Sequence, residues 1–141
     1  MPLVIRDAGA SDASAIAALL TQLGYPSSAA EVERRFGRLG PADRLFLAEL
    51  DGEVAGLAGI HVSAAVEHDG DAAKVSALVV DERFRRRGVG EGLMRAVEDE
   101  ARARGCVLLF LTTAERREDA HAFYRSIGLE ETGRRFAKRL D

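Results

Sequence analysis

With 141 residues, 47% of them hydrophobic and 30% charged, the chain is long enough for one globular domain with a buried core. Its net charge of −3 and pI of about 5.7 argue against a broad basic face, so no nucleic-acid partner is expected. Cys106 is the single cysteine, which rules out an internal disulfide and a CxxC zinc site, and no apolar run approaches the roughly 20 residues of a membrane helix. The expectation is one cytoplasmic domain over residues 1–141, with no membrane segment and no metal.

Leu3–Asp7 reads as a short first strand. Ser11 or Asp12 can cap the helix that follows, where Ile16, Leu19, Leu20 and Leu23 share one face until Gly24 and Pro26 stop it. Ser28 and Glu31 have capping-box spacing ahead of a second helix striped by Val32, Phe36 and Leu39. Both helices come before most of the sheet, in the region where a substrate-facing lid would sit. Leu45–Leu50 and Glu53–Val62 flank Asp51-Gly52, a strong hairpin signal. The next strand, Lys74–Val80, is apolar on both faces and so should be central.

A helix carrying Leu93, Met94, Val97 and Ala101 comes next, with Glu98–Arg102 and Glu100–Arg104 as i, i+4 pairs. Gly105 ends it, and Cys106–Leu111 reads as another buried strand, with Cys106 in the core. A last helix around Ala120, Phe123, Tyr124 and Ile127 stops at Gly128, and Glu130–Leu140 can supply one or two final strands. The order is β-α-α-β-β-β-α-β-α-β. That is an α/β fold, a mixed, mostly antiparallel sheet with helices on both faces.

One stretch carries chemistry. Val79 to Gly92 joins a strand end, a basic turn (Arg83, Arg85, Arg86, Arg87), the pair Gly88-Val89-Gly90 and a helix start. Glycines allow close backbone approach, and a helix N-terminus offers free N–H groups to an anion. A solvated basic surface and a nucleic-acid footprint are the competing readings of the arginines. No Lys-Ser/Thr pair follows a glycine, so this is not a Walker loop, and the glycine spacing does not fit a dinucleotide fingerprint.

Arg85-Arg86-Arg87-Gly88-Val89-Gly90 does fit Arg-x-x-Gly-x-Gly, and Ala120…Tyr124…Gly128-Leu129 follows about 30 residues later. Together these resemble the acyl-CoA loop and C-terminal helix of the GNAT superfamily of N-acetyltransferases, with Leu129 replacing the usual aromatic residue. Asp51–His61, Arg117–Tyr124 and Arg135–Leu140 are also similar to the aminoalkylphosphonate N-acetyltransferase type within it.

The resemblance implies acetyl-CoA as acyl donor, a small-molecule primary amine as acceptor, direct transfer in a ternary complex, and a homodimer. It implies that the pyrophosphate is held by Arg85, Arg86, Arg87, Gly88, Val89, Gly90 and Glu91. Pantetheine would pair along Leu78, Val79 and Val80, with the Val80 N–H polarising the thioester carbonyl, and Phe123 would adjoin the cofactor. Tyr124 would be the general acid for the departing thiolate. Arg117 and Asp119 fall near a position where the family often has a pantetheine-binding Asn. The usual acid on the central strand is missing, where Lys74, Ser76 and Ala77 stand instead. His61 is then the nearest candidate base, Glu67 and His68 are weaker ones, and a water chain is the alternative. A CoA-binding sensor without turnover and an enzyme acting on protein amines remain rival readings.

Overall fold

The computed structural model describes residues 2–113 and 118–141. Its elements are β1 (Leu3–Asp7), α1 (Ala13–Leu23), α2 (Ala29–Phe36), β2 (Asp43–Leu50), β3 (Glu53–Ala64), β4 (Asp71–Val80), α3 (Val89–Ala103), β5 (Cys106–Phe110) and α4 (Glu118–Ser126). They form one five-stranded sheet in the order β1-β2-β3-β4-β5. The first four strands are antiparallel neighbours and β5 runs parallel to β4. This is the α/β architecture expected.

Local chemistry explains most boundaries. Ser28 Oγ accepts from Glu31 N–H at 3.1 Å while Ser28 N–H donates to Glu31 Oε1 at 3.0 Å, a complete capping box. Asp51 and Gly52 both have positive φ (56° and 78°), the geometry that a two-residue hairpin needs. Alternation along the strands sorts side chains into two cores. Phe46, Ala58, Ile60, Val75, Leu93 and Val97 pack with α3 on one face, and Leu47, Leu57 and Val79 pack with Ile16, Leu19 and Val32 on the other. Leu93 and Val97 are fully buried, so Leu93→Ala would cost about 2–5 kcal/mol. α3 lies close over β1 because Gly92 has no side chain: a Cβ there would meet Leu3 Cδ2 at 2.7 Å.

Two expectations fail at the far edge. Glu130–Leu140 forms no strand and is exposed throughout, with Phe136 and Leu140 each 92% accessible. That segment offers two large apolar side chains among four cationic ones, too little burial to offset the entropy of ordering it. β5 is not a buried strand either. It pairs only with β4, no strand covers its other edge among the described residues, and Val107, Leu108 and Phe110 are exposed. Cys106 is half-buried rather than core, and burial pushes its thiol pKa up.

The feature that makes the site is a fork. β4 and β5 pair from Asp71↔Cys106 to Lys74↔Phe110 and no further. The rest of β4, Val75 to Val80, therefore has β3 on one side and, among the described residues, no strand on the other.

Candidate active site

Which polar groups face the open side follows from one hydrogen bond. Asp81 N–H donates to Ala55 O on β3 at 2.8 Å. N–H and C=O groups alternate edges along a strand, so Val79 also faces β3, its partner being Leu57, while Leu78 and Val80 face the gap. Of the three strand residues expected to meet pantetheine, two present main-chain groups to the opening. Val79 instead packs its side chain against α1.

Past β4 the backbone divides into a tied half and a free half. Glu82 N–H donates to Gln22 Oε1 at 3.1 Å, Arg83 N–H to Asp81 Oδ1 at 2.9 Å, and Phe84 N–H to Asp81 O at 2.9 Å. From Arg86 to Glu91, no N–H has a partner among the described residues, and the ladder of α3 resumes with Gly92 N–H to Gly88 O at 3.0 Å. Two residues in this run are left-handed, Arg86 at φ 65° and Gly88 at φ 79°. A left-handed Gly88 followed by the helical Val89 turns successive N–H groups toward one concavity, a nest for an anion at the α3 N-terminus. Arg86 in a conformation unusual for a side-chain-bearing residue is the kind of local strain that functional loops retain.

The arginines separate in the same way. Arg83 is turned back onto Asp81 through Nε at 3.2 Å and Nη2 at 3.1 Å, with Glu53 at 3.9 Å. Its guanidinium holds the Asp81 carboxyl below the usual range. Arg85, Arg86 and Arg87 have no ion-pair partner among the described residues, and Arg87 lies 5.8 Å from the Phe84 ring centroid. The basic run is thus three available cations, not four.

Gly88 and Gly90 are needed for different reasons. Nothing lies within 4 Å of a Cβ built on Gly88, so its requirement is the left-handed backbone. A Cβ on Gly90 would meet Phe123 Cζ at 3.2 Å and Val80 Cγ2 at 3.6 Å. Its requirement is space, and the contact shows that the loop, the end of β4 and α4 converge at Val80, Gly90 and Phe123. Tyr124 is buried beside Phe123, with ring centroids 5.8 Å apart. Across the gap, Thr113 Oγ1 is buried just beyond β5 with no hydrogen-bond partner among the described residues. Arg117 lies outside the described residues, while Asp119 is exposed in the first turn of α4.

His61 is elsewhere. It sits opposite Lys74, and Gly56, five residues back along β3, is the partner of Val80. At about 3.3 Å per residue, His61 is roughly 17 Å from the Val80 end of the gap and roughly 10 Å from the level of Leu78. Its Nδ1 is 2.7 Å from Asp43 Oδ1, which favours the tautomer with Nε2 unprotonated. The Gly40 N–H and then His61 lower the Asp43 pKa. Glu67 and His68 are farther still, in the exposed turn after β3.

Asp81, Gln22 and Asp43 were not singled out by the sequence. Asp81 could have been, because an Asp directly after a strand commonly turns its carboxylate onto the N–H two residues on. Gln22 and Asp43 left no signal, lying 60 and 18 residues from their partners.

Open strand edge, free amides and three cations form a cradle suited to a phosphate-bearing ligand. Residues 14–129 match the model of the Acetyltransferase (GNAT) family. The chain belongs to that family. It is 34% identical over 102 residues to the aminoalkylphosphonate N-acetyltransferase of Salmonella typhimurium, covering 72% of this chain and 66% of that relative, just under two thirds of its length. The crystal structure of glucosamine-6-phosphate N-acetyltransferase from Arabidopsis thaliana is 23% identical with a TM-score of 0.86, each chain covered in full. An aminoglycoside N-acetyltransferase in complex with CoA is 21% identical with a TM-score of 0.85, over 98% of this chain and 94% of that one. At these identities the two structures establish the GNAT fold of this chain.

Proposed function

We propose that the chain is an N-acetyltransferase that uses acetyl-CoA and acetylates a small primary amine by direct transfer in a ternary complex. One observation carries this reading: the unpartnered N–H groups from Arg86 to Glu91 follow the open edge at Leu78 and Val80, with only the short tied turn Asp81–Phe84 between them. These residues fit the donor, since the nest and α3 N-terminus suit a pyrophosphate and the strand edge suits an amide-bearing arm. Arg85, Arg86 and Arg87 would balance the phosphates, and Phe123 would close the wall behind Gly90. When bound, acetyl-CoA supplies the acyl group as an activated thioester.

The remaining roles belong to the protein. The N–H of Val80, with that of Leu78 one step below, donates toward the carbonyl oxygen and stabilises charge that develops there. Tyr124 donates its phenolic proton to the leaving sulfur. His61, fixed through Nδ1 by Asp43, accepts the amine's proton through intervening water, because it is too far for direct contact. The carboxylate on β4, Asp71, stands at the strand's far N-terminal end, nine residues from Val80. Lys74 stands at the fork, exposed and without an ion-pair partner among the described residues. That cation suits an acceptor bearing an anionic group, in keeping with the name of the Salmonella relative.

The test is CoA release from acetyl-CoA across aminoalkylphosphonates, amino acids, polyamines, aminoglycosides and peptide N-termini. Turnover concentrated on small anionic amines supports the reading. Tight CoA binding with no release on any amine would replace it with the sensor. The expected homodimer is supported by the open β5 edge with Val107, Leu108 and Phe110 exposed beside it. Light scattering on Val107→Asp tests this, since a β5-centred dimer should fall to monomer.

A further inference from the structure

The tied half of the loop depends on a side chain from the other end of the fold. Gln22 is on the last turn of α1, exposed, and 60 residues from the amide it binds. Its Oε1 accepts from Glu82 N–H at 3.1 Å. Asp81 is the single buried charged residue among the described residues, and it holds Arg83 through backbone and side chain. Gln22 therefore reaches the one N–H at the start of the loop that Asp81 does not.

Resting on the reading that this loop binds acyl-CoA, we propose that Gln22 is a positioning residue for the phosphate cradle. It latches α1 to the root of the loop, so that the free amides from Arg86 to Glu91 are aimed before the donor arrives. The physical case has three parts. A run of unpaired amides with left-handed Arg86 and Gly88 has little internal hydrogen bonding to hold its shape, so its order must come from the segment it hangs on. That segment, Asp81–Phe84, is a short 3-10 turn whose N–H groups are all taken, Glu82's by a group outside the loop. Preorganisation of this kind improves affinity by lowering the ordering entropy lost on binding. Because α1 borders the segment Tyr25–Arg44, the latch also ties the donor loop to the helix pair on the acceptor side.

The experiment compares wild type with Gln22→Ala, Gln22→Met and Gln22→Glu. Met keeps the length and packing without the amide. Glu keeps the acceptor for Glu82 N–H but sets a second carboxylate against Asp81. CoA affinity is read by calorimetry, kcat and KM by CoA release, and Glu82 amide protection by hydrogen exchange. Ala and Met should both raise the CoA Kd and the acetyl-CoA KM about 3- to 10-fold, the effect of one neutral hydrogen bond. Both should keep kcat within about twofold and expose the Glu82 amide, and Glu should do no better than Ala. Wild-type CoA binding matched by Ala and Met would overturn the latch and leave the acetyl-CoA reading standing. Failure of wild type to bind CoA would remove that reading and the latch with it.

Discussion

The two ends of β4 are built differently. At its C-terminal end every polar group is placed: Asp81 is buried and bonded, Arg83 is sequestered, and six consecutive amides stand ready in a strained loop. At the fork, the ionisable groups are an exposed Lys74 and a half-exposed His61–Asp43 pair, with no buried carboxylate. The first end is preorganised for a fixed ligand and depends on backbone. The second depends on side chains at an open surface. Under the proposed function the donor is held largely by backbone and the acceptor by side chains, and backbone geometry survives sequence change where exposed side chains do not.

The comparison breaks most readily at Gly90. Gly90→Asp puts a side chain into Phe123 and Val80 and a negative charge beside the nest, and CoA binding should fall more than about 100-fold by calorimetry. Retained affinity would show that the loop is not the pyrophosphate site. Tyr124→Phe should lower kcat by about 100-fold while leaving the CoA Kd within about twofold, the signature of a lost proton donor. Unchanged turnover removes Tyr124 from the chemistry.

Smaller effects probe the acceptor end. His61→Gln should reduce kcat/KM roughly 10-fold, a modest loss because proton transfer runs through water. Lys74→Met should raise KM about 10-fold for an anionic amine and leave a neutral amine unaffected, which kinetics on a matched pair would show. The smallest effect is on stability. Asp81 has a lowered carboxyl pKa in the fold, so its stabilisation is complete above the unfolded value near 4 and is lost as pH falls through the folded value. Melting curves should show wild type losing stability below about pH 4 and Asp81→Asn losing less over that window.

The sequence alone determined the element order through α4, the hairpin at Asp51-Gly52, the capping box at Ser28 and Glu31, and the position of the glycine loop ahead of α3. Each of these rests on local chemistry, on propensities, turn geometry and glycine spacing within a few residues. It misjudged β5 and the tail, because whether an apolar strand is buried depends on what arrives at its edge. Tertiary structure alone decided the fork after Lys74, since a strand's divergence from its neighbour is a property of two segments about 35 residues apart. It likewise decided that Leu78 and Val80 but not Val79 face the gap, through a bond from Asp81 to Ala55. The roles of Gln22 and Arg83 came the same way: a long-range hydrogen bond and an ion pair choose among residues that composition treats alike.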